Sequence, residues 1–243
     1  ADIHNPSKPS FREYAVYFHD ELEAVNRFGK PIIDPHTGMR TSVTAISYRS
    51  EPMVNRAAFI PDKDVGFKFC NPCNPKDNIN IIDIKKPMEH HVVDGEDVSM
   101  SSWTCGDPAT FIPRAYKGDP SKFRLIHGGV QETHVFHLHT HQWRLEPDNP
   151  DSTIIDSISV GPQESYTLDI LYGAGSLVGS IGDHIWHCHL YPHFHEGMWS
   201  LWRVFDRLET GENVVLENGQ VISPLYPDGT IIKKLKPLPD RTP

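Results

Sequence analysis

A chain of 243 residues with a formal net charge of −9 can bury a core in one or two domains, and its sign excludes nucleic acid as a partner while drawing cations to its surface. No apolar run approaches the ~20 residues of a membrane helix, and "ADIHNPSKPS" lacks the pattern of a signal peptide, so the residues present do not state a compartment. Four cysteines are too few for a disulfide scaffold.

Helix-period apolar stripes are scarce, and 17 glycines and 21 prolines punctuate short apolar or alternating runs, a pattern that predicts an all-β sandwich or barrel. Residues 1–10 read as a linker. "REYAVYFHD" alternates, with Tyr14, Val16 and Phe18 on one face, and predicts an opening strand. "GKPIIDPHTG" is a turn-rich connection, and "TSVTAISYR" predicts a second strand. From about 51 to 120 the chain is irregular, and holds "FCNPCNP", His90, His91 and Cys105; it is expected to be a long insertion with little structure of its own. Strands are then expected at 122–127, 133–145, 153–160, 164–172, 184–189 and 198–206. In "SYTLDIL" the alternation points Tyr166, Leu168 and Ile170 inward, whereas "MWSLWRVF" is apolar on both faces, as befits a central strand. The tail, 208–243, contains a short hairpin turning at Asn218–Gly219 and ends in a Pro- and Lys-rich stretch suited to lying on a neighbouring domain. The chain has no internal repeat.

Two histidine clusters carry the chemistry: "HVFHLHTH", with His134, His137, His139 and His141, and "HCHLYPHFHEGM", with His187, Cys188, His189, His193 and Met198. Side chains on a strand alternate between faces, so His137 and His139 point away from His134, and His187 and His189 away from Cys188. If the two strands are neighbours, four histidines converge on one side and Cys188 with His134 on the other. One thiolate, two imidazoles and a thioether form a blue-copper electron-transfer set, where a structural zinc site would more often use several cysteines. An all-histidine set suits copper, zinc, iron or nickel, and its position one residue either side of the thiolate favours copper.

These segments resemble the C-terminal signatures of the multicopper oxidase family, HxxHxH and HCHxxxHxxxxM, with every spacing kept at 134–139 and 187–198. The resemblance is strong over 120–206 and weak over 12–50. It extends in detail to large bacterial members, including ones credited with manganese oxidation. It implies a cupredoxin-like Greek-key β-sandwich over 11–207. It implies His134, Cys188, His193 and Met198 at a type 1 copper, His137 at type 2 copper, and His139, His187 and His189 at a binuclear type 3 pair. The activity implied is one-electron oxidation of a metal ion or phenol at type 1 copper, with electrons passing through Cys188 to His187 and His189. Dioxygen is then reduced to water at the trinuclear centre. An extracytoplasmic location is implied as well. A methionine at position 198 suits easily oxidised donors such as Fe(II), Cu(I) or phenols.

The family's trinuclear centre takes eight histidines, half of them from two HxH motifs in an N-terminal cupredoxin domain. No HxH precedes residue 134, because His4, His19, His36, His90, His91 and His127 do not form one. A second chain or another domain is therefore expected to supply the missing half. Three rivals are a type 1 copper electron carrier, which leaves four histidines idle; a copper nitrite reductase-like protein, which leaves His189 idle; and a structural cupredoxin, which needs neither cluster. His141 is expected to be a packing residue, and His184 and His195 to lie behind the ligands or on the surface. Two of Cys70, Cys73 and Cys105 are expected to pair as a disulfide, a zinc site with His90 or His91 being the alternative. Glu132 and Glu196 flank type 1 ligands, and are either acceptors for a metal ion or proton or simply solvated carboxylates.

Overall fold

The computed structural model of the chain describes residues 1–23, 25, 29–31, 42–51, 92–93, 96–97, 107–108, 110–225 and 230–241. β1 (Asp2–Asn5) folds back antiparallel onto the first half of β2 (Lys8–Glu23), and β3 (Ser42–Ile46) pairs with its second half. The first ten residues are thus a strand and the start of another, not a linker. What was missing from the sequence signal is the partner: β1 has too few apolar residues to register as a strand until β2 is beside it. β2 alternates as expected, burying Tyr14, Val16 and Phe18. A bulge between His19 and Leu22, with Glu21 at φ 50°, ends the alternation.

The expected insertion lies mostly outside the described residues, as do Cys70, Cys73, Cys105, His90 and His91. Within it, β4 (Val92–Val93) and β5 (Glu96–Asp97) form a small antiparallel pair. Its C-terminal end is part of the body: β6 (Arg114–Tyr116) runs parallel to β14 (Trp199–Phe205) at the edge of a sheet.

From there the chain crosses repeatedly between two sheets. β7 (Ser121–His127) runs parallel to β2, β8 (His134–Leu138) enters the other sheet, and β9 (Trp143–Arg144) pairs with β10 (Ile154–Ile155). β11 (Ser157–Val160) pairs with β8, β12 (Ser165–Asp169) with β7, and β13 (Gly182–Cys188) lies between β8 and β14. The result is two five-stranded sheets, β1-β2-β7-β12 with β3 on β2, and β11-β8-β13-β14-β6. This is the all-β, cupredoxin-like sandwich expected from the sequence.

The core lies between the sheets. Tyr14, Val16, Phe18, Phe123 and Leu125 face Phe136, Leu138, Trp186, Trp202 and Val204. Every residue of β14 is buried, because Trp199 and Leu201 on its outer face are covered by Ile112, Ile185 and Phe194. Truncating a fully buried tryptophan such as Trp202 to alanine costs about 3–5 kcal/mol. The expected hairpin is present as β15 (Val214–Val215) and β16 (Val221–Ile222), with Gly219 at φ +86° in the turn. The tail packs on its own domain: Val214, Leu216 and Ile222 join Tyr116 and Phe205, and Tyr116 donates to the Leu235 carbonyl at 2.8 Å.

Candidate metal centre

β8 and β13 are antiparallel neighbours, with His187 opposite His137 and Cys188 opposite Phe136. That register sends Cys188 into the core beside His134, both fully buried, and turns His187 and His137 to the other face. The chain then leaves β13 through α1 (Tyr191–His195), whose first turn holds Pro192. The short helix returns His193 to the core side. The backbone N–H of Met198 donates to the His193 carbonyl and that of Cys188 to the Met198 carbonyl, each at 3.0 Å. Met198 is thereby held against Cys188, fully buried. Gly197, at φ +114°, is required in this loop, because a Cβ there would lie 2.8 Å from the Glu51 backbone.

The donor atoms converge. Cys188 Sγ lies 3.5 Å from His193 Nδ1 and 3.9 Å from His134 Nδ1, and the two Nδ1 atoms are 3.0 Å apart. Ligands bound at ~2.0–2.3 Å to one ion stand roughly 3–4 Å from each other, so these three atoms already have the spacing of a first coordination sphere. Two inward-facing imidazole nitrogens and a thiol, all buried, fit a thiophilic ion such as copper. Burial raises the Cys188 thiol above its ordinary pKa, while the N–H groups of Val135 and Leu190 pull it back down; the Val135 N–H reaches Sγ at 3.4 Å. Burial, with His127 and His193 alongside, pushes His134 down to about 3, so its imidazole is neutral at pH 7. His193 Nε2 donates to Glu132 Oε2 at 2.6 Å, which leaves Nδ1 free of a proton and facing Cys188 and His134.

The outer-face set is organised by the same logic. His137 Nδ1 donates to the Asp156 carbonyl at 3.0 Å and approaches Ser157 Oγ at 2.8 Å, and His187 Nδ1 donates to the Cys188 carbonyl at 2.8 Å. Both therefore present Nε2, and His187 Nε2 lies 3.2 Å from His139 Nε2. Donor atoms of His137, His139 and His187 all fall within 4.8 Å of one another. The His189 ring stands 5.2 Å from that of His137 and 5.5 Å from that of His187. His139 and His189 are exposed. Burial takes His187 down to about 4.

His141 is a packing residue, as expected. It is fully buried against Trp202, Nδ1 donates to the His139 carbonyl at 3.0 Å, and Nε2 accepts from the Gly175 N–H at 2.8 Å. Of the two places expected for His184 the surface is excluded: it is buried against His141, which in turn bonds the His139 carbonyl. His195 is half-buried. Glu196 is also half-buried, and burial together with Glu132 raises its carboxyl. The sequence reading missed two residues beside His134. His127 stacks on it with ring centres 4.6 Å apart, and Asp20 Oδ2 lies 3.8 Å from His134 Nε2. The available signal for Asp20 was a carboxylate on the inward parity of β2.

No family model matches the chain. Among curated proteins, 102 residues are 35% identical to a protein of Kuenenia stuttgartiensis named "Probable nitrite reductase-hydroxylamine oxidoreductase fusion protein", covering 41% of the chain and 11% of that protein. Among solved structures, a multicopper oxidase from Campylobacter jejuni described as a metallo-oxidase aligns over 83% of the chain and 31% of its own length, at 14% identity and TM-score 0.42. The blue copper oxidase of Nitrosomonas europaea aligns over 79% and 43%, at 15% identity and TM-score 0.41. A Cu-containing nitrite reductase from Thermus scotoductus SA-01 aligns over 80% and 31%, at 9% identity and TM-score 0.40. The chain spans about a tenth of the curated relative and less than half of each of these structures.

Proposed function

We propose that the chain is the C-terminal part of a copper oxidase, carrying a whole type 1 copper set and half of a trinuclear set. The observation that carries this reading is the pairing of Cys188, facing inward among His134 and His193, with His187, facing outward among His137 and His139, on adjacent residues of one strand. Copper at the first set would supply one-electron exchange, and copper at the second the four-electron reduction of dioxygen to water.

The chain's own residues supply holding, orientation and exclusion of water. His134, Cys188, His193 and Met198 would hold type 1 copper in a buried pocket. His137 would hold type 2, and His139, His187 and His189 the type 3 pair. The peptide units either side of Cys188 are the covalent path between the sets. Glu132 on His193 Nε2 and the Asp156 carbonyl on His137 Nδ1 fix tautomers without touching a metal. The reductant is a metal ion or a phenol. Four histidines furnish half of an eight-histidine centre, so a domain or second chain with two HxH motifs supplies the rest. An extracytoplasmic location fits this chemistry; among the described residues no helix is long and apolar enough to cross a membrane.

The Kuenenia stuttgartiensis relative favours a second reading, a nitrite reductase-like protein, in which His189 does no work. Oxygen uptake and nitrite consumption, measured on the copper-loaded chain with and without an HxH-bearing domain, separate the two. Oxygen uptake that needs the added domain and yields water supports the oxidase. Nitrite consumption that survives His189→Ala, with no oxygen uptake, supports the alternative.

A further inference from the structure

We infer that Asp20 is a positioning residue that lowers the redox potential of the Cys188 site, by anchoring the segment that delivers His134 and by holding a buried negative charge beside that ring. The inference rests on the proposed reading of Cys188, His134 and His193 as a blue-copper set.

Asp20 is 5% exposed and sits within the bulge of β2, between His19 and Leu22. Its carboxylate accepts three backbone N–H bonds from one loop: Val130 to Oδ1 at 2.9 Å, and Gln131 and Glu132 to Oδ2 at 3.3 and 2.9 Å. The loop is shaped around it, for a Cβ on Gly129 would stand 2.4 Å from the carboxylate atoms. His127 closes the loop from the other end, with Nε2 donating to the Glu132 carbonyl at 2.5 Å and Nδ1 accepting from the Gly129 N–H at 3.1 Å. Two residues after this anchor comes His134, and the loop's last anchored residue, Glu132, is the one that orients His193. Asp20 thus fixes both imidazoles of the set.

The charge matters as well as the bonds. His134 turns Nδ1 toward Cys188, so Nε2 carries its proton; that nitrogen is buried, has no hydrogen-bond partner among the described residues, and faces Asp20 Oδ2 at 3.8 Å. A carboxylate there favours the more positive, oxidised state of an ion on Nδ1. A loop anchor alone could be a neutral side chain; burying a full charge has a large desolvation cost that three N–H donors offset. Asp20, His127 and His134 do not make a third ion site of their own, because His127 Nε2 is committed to the Glu132 carbonyl and His134 Nε2 bears a proton.

The test is spectroelectrochemical titration of the copper-loaded chain. Asp20→Asn is expected to keep the blue band and to shift the ratio of reduced to oxidised copper about tenfold toward reduced at a fixed applied potential, ~59 mV for one electron. Asp20→Glu, which keeps the charge, is expected to stay within about twofold of the parent. In the metal-free chain, Asp20→Ala is expected to speed amide exchange at Val130 and Glu132. An unshifted potential in Asp20→Asn overturns the inference. So does a shift of about tenfold toward reduced in Asp20→Glu, which also decides the matter if Asp20→Asn fails to fold. A parent chain that shows no blue band with copper refutes the proposed function instead, and the exchange result then still reports on the anchor.

Discussion

The two donor sets share three consecutive residues, yet one is sealed and the other is open. His134, Cys188 and Met198 are fully buried and His193 nearly so, whereas in the outer set only His187 is buried, His137 is half-buried, and His139 and His189 are exposed. Strand alternation makes the difference. On β13 the inward side chain meets the core between two sheets, and packing completes its surroundings. The outward neighbours lie on the outer face of the sheet, where Phe194 packs on His187 while His189 stays exposed. A core-facing metal set can be built by one domain, while a set on the outer face of a sheet needs something else to cover it.

That contrast can be broken at several points. The largest effect is expected from Cys188→Ser, which should abolish the intense absorption near ~600 nm of the copper-loaded chain, because a hydroxyl cannot replace the thiolate in a blue-copper set. Survival of the band would move the sealed site to Cys70, Cys73 or Cys105.

Arg203→Met should lower stability by roughly 3–5 kcal/mol in denaturant titration. Arg203 is buried on β14 and bonds to Asp183 of β13 at 2.7 Å and to Asp107 at 2.6 Å, so its loss strips charged partners from the strand that carries both sets. Both sets should loosen together. Selective damage to one would show that β13 does not couple them.

A smaller effect is expected from pH. His141 is buried and neutral, with its pKa pushed down by burial from 6.5 to about 4. The unfolded chain binds the proton first, so stability is full above pH 6.5 and falls as pH drops toward 4, by at most about 3 kcal/mol from this residue. The pH dependence of the denaturation midpoint should flatten in His141→Gln, and an unchanged profile would contradict it. Smallest of all, Met198→Leu conserves volume and should cost under about 1.5 kcal/mol while raising the potential of the sealed site. A potential that stays put in redox titration would remove Met198 from the ligand set.

Much of this arrangement was legible in the sequence because its causes are local. Alternation in "REYAVYFHD", "SYTLDIL" and the two histidine motifs decides which side chains face the core, and Asn218–Gly219 specifies its own turn. What escaped depends on distant partners. β1 and β6 are short and unremarkable until β2 and β14 lie alongside, so one was read as linker and the other as insertion. The burial of His184 could not be decided from the sequence, because nothing in its neighbours there reveals that it lies against His141. Asp20 and His127 escaped because they belong to no motif, and reach His134 only through the pairing of β2 with β7.

The central claim, one complete site and one half-site, is tested most directly by copper stoichiometry. Copper is titrated into the metal-free 243-residue chain, excess is removed by dialysis, and bound metal is measured together with the visible spectrum. One retained copper per chain is expected, with the blue band fully developed, and further retained copper only when an HxH-bearing domain is added. Four coppers held by a verified monomer, or a blue band that appears only with the added domain, would contradict it.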